Sequence, residues 1–325
     1  MHIAETFEAM GHTVMVFEPG IKTQQAANPL HHRYIQVKTQ LHHLYKQSSW
    51  GRQQEEARLK TFLKEFKPAL VLSCHDFLTP AQLQWLKLNF NCKTALWFPD
   101  AISNFGKAMF LDAAYDALFF KEPFVVDVLK RELKKNVFYL PECCNPVYHN
   151  KVSVAQADVE KYGCDITTAG NMHTARAAFF KLLEGYNVKI WGNPAPAWMD
   201  TKGIQSMIQN HFVSNNEKSK AFACSKIVIN TMHPTEIEAV NVRLFEIAAT
   251  GSFQICNYRK SLEDLYVIGE DIVVFKTIDE LKELISFYIN REELRNEISE
   301  RAYQKTMAFH TYRHRLEKML NQLDF

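Results

Sequence analysis

Glu238 and Glu246 stand eight residues apart, with Asn241 and Arg243 between them. The run Asn241-Val-Arg-Leu-Phe-Glu246 follows a strand-like segment, Lys226-Ile-Val-Ile-Asn230, and precedes another, Ser252-Phe-Gln-Ile-Cys256. A strand, a polar loop and a helix with Arg243 and Glu246 in its first turn suit an anionic nucleotide ligand. The start of a helix offers free N–H groups and partial positive charge to phosphate. Arg243 can pair with phosphate or fix the loop, and the Glu246 carboxylate can accept hydrogen bonds from ribose hydroxyls. The same residues also fit an amphipathic helix with an internal Arg–Glu pair.

Other residues offer related chemistry. Arg176 follows a Gly170-Asn171 loop at the start of a helix and can pair with a phosphate. Trp191-Gly192 ends a strand, where a glycine lets a nucleobase approach the backbone or simply makes a tight turn. His75-Asp76 and Asp100 follow strands, and loops at the carboxyl ends of parallel strands line ligand crevices. They are candidates for acceptor binding or proton handling, or else they cap the turns that follow. His31-His32 and His42-His43 lack Cys, Asp or Glu at ligand spacing and read as surface. Cys143-Cys144 reads as packing. Arg313, His314, Arg315 and Lys318 read as a solvated helix face rather than a nucleic-acid contact.

The elements that position these residues alternate. In 325 residues, strands and helices follow one another from end to end, which predicts an α/β fold with parallel sheets and two domains. Strands are expected at 13–17, 69–73, 93–98, 117–120, 137–140, 165–169, 187–191, 226–230, 253–256 and 272–275. Helices are expected at 1–10, 52–66, 80–89, 122–134, 174–185, 217–224, 261–266, 278–289 and 291–321, the last broken near His310. Residues 141–162 connect the domains. A helix at 1–10 with no strand before it leaves a central strand unaccounted for. Either the sheet is reordered or the reading frame continues upstream of Met1 with that strand and a glycine-bearing loop on the acceptor side; the second is the expectation.

With 38 basic and 36 acidic residues the net charge is +2, which argues against a dedicated nucleic-acid binder. No apolar run approaches a membrane span, which leaves peripheral association open. Seven cysteines, mostly in apolar contexts, suit reduced thiols in a cytoplasm.

Taken in order, Tyr115-Asp116-Ala-Leu-Phe-Phe120, Asn136-Val-Phe-Tyr-Leu-Pro141, Gly170-Asn171 with Arg176, Ser225-Lys-Ile-Val-Ile-Asn230, Asn241-Val-Arg243-Leu-Phe-Glu246 and His310-Thr-Tyr-Arg313 resemble the spore maturation protein CgeB-like glycosyltransferases. The resemblance runs from about residue 69 to the C-terminus. It implies a GT-B fold, two Rossmann-like domains with parallel sheets facing a cleft. Residues 1–150 would form the acceptor domain and 163–304 the nucleotide-sugar domain, with a helix at 305–325 packing back across them.

Retaining members of the wider group carry an E-x7-E motif, which Glu238 and Glu246 match in spacing. By that resemblance Glu246 binds the donor ribose and Glu238 faces the transferred sugar. The group also places Arg and then Lys after a glycine. Here Asn171 stands at the first position and Arg176 at the second, so Arg243 is the candidate for the missing charge. Asn230 and Asn241 complete the expected donor site. No Asp-x-Asp metal signature is present, so no metal and no cofactor is expected beyond the nucleotide-diphosphate sugar as donor substrate. The acceptor is expected to be a sugar, glycan or protein. The alternative is a non-catalytic nucleotide- or sugar-binding protein that kept the fold, which Asn171 and the missing strand favour.

Overall fold

The computed structural model describes residues 2–18, 38, 44, 45 and 48–325. The histidine pairs at 31–32 and 42–43 lie outside these residues. Two compact units are formed. The first comprises Met1–Leu96 with Ala108–Asp116, and the second comprises Trp97–Lys107 with Ala117–Phe325. Strands at 70–74, 93–98, 117–120 and 137–139 lie in that order in a four-stranded sheet, and strands at 188–191, 164–169, 225–230, 254–257 and 273–275 lie in that order in a five-stranded sheet.

In the first unit, α1 (His2–Ala9) and α2 (Ser49–Phe66) precede β1 (Leu70–Cys74) and α3 (Pro80–Asn89). Ser48 caps α2 by accepting from the Gly51 N–H. Thr79 and Gln82 form a reciprocal capping box at the start of α3, with Pro80 in the first turn where it lacks no needed donor. Leu59, Leu63, Leu83 and Leu86 make the core between these helices. Residues 12–18 form no strand, contrary to the strand expected at 13–17. Phe17 instead packs edge-on against Phe62 of α2 at 5.3 Å. The apolar run Val14-Met-Val-Phe17 suits a strand, but a strand also needs a ladder partner.

β2 (Lys93–Phe98) is followed in the second unit by β3 (Ala117–Phe120), α4 (Pro123–Leu133) and β4 (Val137–Tyr139). β3 and β4 pair in parallel, Leu118 opposite Val137. The expected connection at 141–162 contains one helix, α5 (Gln156–Tyr162). Then come β5 (Cys164–Ala169), α6 (Thr174–Lys181), β6 (Val188–Trp191), α7 (Asn215–Ala223), β7 (Ser225–Asn230), α8 (Arg243–Ala249), β8 (Gln254–Asn257), α9 (Leu262–Leu265) and β9 (Val273–Phe275). Helices α10 (Ile278–Tyr288), α11 (Glu292–Phe309) and α12 (Tyr312–Gln322) close the chain, with the break at His310.

All pairs within the five-stranded sheet are parallel. Such a sheet is covered on both faces, and the middle of its central strand β7 is apolar on both. In β7, Ile227 and Ile229 pack with Phe180 of α6 and Leu281 of α10, while Val228 packs with Phe222 of α7 and Ile247 of α8. α12 returns to the segment after β4: Arg315 donates to the Pro141 carbonyl at 3.0 Å, and Cys144 bridges to Thr311. Cys143 and Cys144 are buried there, and burial pushes the Cys144 thiol up to about 12. A neutral, enclosed thiol pair of this kind is packing rather than redox chemistry.

Candidate active site

The loops after β5, β6 and β7 assemble the site. β5 and β7 are adjacent parallel strands, so their carboxyl ends place Gly170 and Asn230 at the same edge of the sheet. Past β5 the chain turns at Gly170, whose φ of +132° is a conformation that side chains disfavour. His173 caps α6, its ring accepting from the Arg176 N–H. Arg176 folds back and donates from Nη1 to the Asn171 carbonyl at 2.8 Å. It is 2% exposed, and its Nε is a buried donor with no partner in the structure.

Arg243 opens α8 and donates to Asn230 Oδ1 at 3.2 Å. Asn241 donates to the same Asn230 oxygen at 3.0 Å and accepts from the Leu244 N–H, so it fastens the start of α8 to the end of β7. Both guanidiniums converge on Gly170. A Cβ on that glycine would lie 2.9 Å from Arg176 Nη1 and 3.4 Å from Arg243 Nη2. Burial, and then the neighbouring Arg243, push the Arg176 guanidinium well below its ordinary range. Guanidinium nevertheless stays charged in proteins. Two cations this close, one of them almost wholly buried, form a site that an anion with several oxygens would satisfy.

Glu246 sits one turn beyond Arg243 and is 7% exposed. Lys218 of α7 lies 3.0 Å from both its oxygens, and His149 Nε2 lies 3.2 Å from Oε1. Burial alone would raise this carboxyl, but Lys218, His149 and Arg243 outweigh it and hold it below its ordinary value. Glu246 is therefore a fixed, ionised acceptor.

The loop between β7 and α8 carries Glu238 and is held by side chains that spacing did not reveal. Lys121, just past β3, donates to Glu236 at 2.8 Å and to Glu142 at 3.2 Å. Glu122 accepts from the backbone N–H groups of Ile237, Glu238 and Ala239. Burial lifts the Glu142 carboxyl to about 7 against the pull of Lys121, with Glu236 and Glu246 adding to the rise. His173 and His233 stand ring to ring at 5.0 Å. Burial, then Arg176, His233 and Arg243, lower His173 to about 4, so it is neutral at pH 7.

Of the residues singled out in the sequence, Gly170, Asn171, Arg176, Asn230, Asn241 and Arg243 are brought together, with Glu246 one turn further along α8. Trp191 is a core residue, 3% exposed and packed on Tyr162. Gly192 is glycine because a Cβ there would meet the Gly170 carbonyl oxygen at 2.5 Å. Asp100 caps the turn at 102–104, accepting from the Ala101 N–H and the Asn104 side chain. Ser103 of that turn lies 3.3 Å from Thr235. Asp76 belongs to the first unit and caps the turn at 109–111 through the Met109 and Phe110 N–H groups. His75 beside it has φ +76°. Both carboxylates thus carry the capping bonds their sequence context also allowed.

Lys121, Glu122, Glu142, His149, His173, Lys218, His233 and Glu236 were not singled out. Lys121-Glu122 had a usable signal, a charged pair directly after a buried strand, the same rule that picked out Asp100. Among the described residues no group of three His, Cys, Asp or Glu is placed to hold a metal ion. Also among them, no helix is long and apolar enough to cross a membrane.

Residues 174–321 match a protein family described as glycosyl transferase-like. No curated protein matches the chain by sequence. Among solved structures, the chain is similar to a glycosyltransferase from Rickettsia africae ESF-5, with a TM-score of 0.62, 13% identity, and coverage of 98% of this chain and 92% of that one. It is similar to sucrose-phosphate synthase from Thermosynechococcus elongatus, with a TM-score of 0.61, 11% identity, and coverage of 82% and 77%. A trehalose-6-phosphate synthase studied for glycosyl transfer with retention gives a TM-score of 0.57 at 14% identity, covering 84% and 78%. The matched region runs from the start of α6 into α12; it includes Arg176, Asn230, Asn241, Arg243 and Glu246 and stops short of Gly170 and Asn171. At these identities the structural likeness is one of fold, and the fold is GT-B.

Proposed function

We propose that the protein is a glycosyltransferase that moves a hexose-type sugar from a nucleotide-diphosphate sugar to a protein or glycan acceptor, in the manner of the CgeB-like enzymes. The observation that carries this reading is the convergence of Arg176 and Arg243 on Gly170, with the Arg176 Nε left as an open donor. Departure of a nucleoside diphosphate builds negative charge on the leaving oxygens, and preorganised donors aimed at that charge lower the barrier. Here two arginines supply fixed charge, which supports a reaction without metal. Glu246 is the acceptor for ribose hydroxyls, and Glu238 faces the transferred sugar. The acceptor hydroxyl passes its proton to the departing phosphate on the same face, a course that retains configuration. The trehalose-6-phosphate synthase similarity supports that course.

The test is a thermal-shift screen of UDP-, GDP- and dTDP-sugars, followed by donor hydrolysis in excess chelator. A bound donor at ~100 times its dissociation constant stabilises the fold by ~2.7 kcal/mol. Arg176→Ala and Arg243→Ala remove that shift. Stabilisation without hydrolysis would favour a non-catalytic nucleotide-binding protein, and hydrolysis that needs added Mg or Mn would overturn the metal-free course.

A further inference from the structure

Two adjacent residues outside the five-stranded sheet hold the segment that bears Glu238. Lys121 and Glu122 follow β3 directly and are 4% and 2% exposed. Lys121 grips the Glu236 side chain at 2.8 Å, and the other Glu236 oxygen accepts from the His233 N–H at 2.8 Å. Glu122 Oε2 accepts from the Ile237 N–H at 3.0 Å and the Ala239 N–H at 3.3 Å, while Oε1 accepts from the Glu238 N–H at 2.9 Å. Three successive N–H groups pointing into one concavity make an anion site, and here the occupant is the protein's own carboxylate. Charge-assisted bonds to backbone are among the stronger and more directional contacts available to a loop. The loop from 231 to 242 has no helix or strand of its own, so these contacts take the place of secondary structure in fixing its conformation.

We propose that Glu122 is a positioning residue for Glu238, and that the Lys121-Glu122 pair sets the geometry of the donor-sugar side of the site. This rests on the glycosyltransferase reading above. Nothing about Glu122 requires contact with the nucleotide, whose diphosphate side is built from Arg176 and Arg243. The Lys121 charge keeps the pair from being a net buried anion, and it also bridges to Glu142 of the segment after β4. Glu122 therefore acts on the orientation of one side chain and leaves the anion site at Gly170 alone.

Glu122→Gln keeps size but replaces one acceptor oxygen with an NH2 group that opposes a backbone donor. The expected result is a roughly 10- to 100-fold fall in kcat for hydrolysis of UDP-, GDP- or dTDP-glucose, the scale of loss that follows a small misplacement of a reacting group. Affinity for the matching free nucleoside diphosphate stays within about twofold, because that ligand does not engage the sugar side. The decisive readout is a cycle with Glu238→Gln. Once Glu238 is disabled, Glu122→Gln has little further to remove, so the two losses are far from additive. If Glu122→Gln does not fold, Glu122→Asp keeps the charge, shortens the reach and enters the same cycle. Additive losses, or a variant with wild-type kcat, overturn the proposal. Wild-type protein that hydrolyses none of the three donors removes the glycosyltransferase reading itself, and this inference with it.

Discussion

A Cβ placed on Gly192 would stand 2.5 Å from the carbonyl oxygen of Gly170. The clash is with backbone, so no side chain can swing aside to relieve it. The Gly170 N–H also donates to the Trp191 carbonyl at 2.8 Å, so the end of β6 is seated on the turn that faces both arginines. Gly192→Ala must push that turn away. Overpacking of this kind costs ~1–3 kcal/mol of stability. The Gly170 turn then leaves Arg176 and Arg243, and binding of UDP, GDP or dTDP weakens along with it. Urea denaturation and calorimetry measure the two losses. Wild-type nucleotide affinity in the folded variant would show that the Gly170 turn does not form the anion site.

Glu246 yields a second prediction. Both its oxygens already face Lys218, and His149 Nε2 lies beside Oε1, which fixes the carboxylate in place. Hydrogen bonds to a charged acceptor contribute ~1.5–3 kcal/mol each. If ribose hydroxyls are among its partners, Glu246→Gln lowers affinity for the free nucleotide diphosphate by that amount. The glutamine keeps the shape but leaves Lys218 without its counter-charge, so the fold is checked alongside affinity. Calorimetry on the folded variant decides the matter, and unchanged affinity would end the ribose role.

Legibility in the sequence followed the range of the interactions involved. Strand β7 was readable as an apolar run that stops at a polar loop, Asn230-Thr231, and β5 as a short β-branched run that stops at Gly170-Asn171. Arg176, Arg243 and Glu246 were readable for the same reason, as charges placed directly after those loops. The segment 13–17 was misread because an apolar run is local and a ladder partner is not. What Lys121 and Glu122 hold was not readable, because those groups lie far off in sequence. Glu122 reaches 116 residues to Glu238, and Lys121 reaches 115 to Glu236. Spacing along one helix or loop reveals neighbours within a turn or two, and the carboxylate clamp on the Glu238 loop is none of these.

His310 yields the last prediction, on acid stability. The residue breaks α11 from α12 and is 7% exposed. Its Nε2 lies 3.0 Å from the Leu265 carbonyl, and its Nδ1 lies 3.0 Å from Arg315 Nη2. Arg315 can only donate, so Nδ1 accepts and Nε2 carries the proton. A second proton would face the guanidinium. Burial first, and Arg315 next, push His310 down to about 4, with the Leu265 carbonyl pulling the other way. A depressed folded value means that the stabilisation is complete above the unfolded value of ~6.5 and is lost as pH falls toward about 4. His173 adds the same trend, while Glu142 adds the opposite one, favouring the fold less as pH rises from ~4.5 to about 7. These two are common to wild type and His310→Gln, so the difference between the proteins isolates His310. Glutamine can donate to Leu265 and accept from Arg315 but takes up no proton. The gap in unfolding free energy between wild type and variant should be constant above pH 7. It should shrink by about 1.4 kcal/mol per pH unit between about 6 and 4.5. Urea denaturation at each pH measures it, and a gap that does not change with pH would show that His310 is not held neutral in the fold.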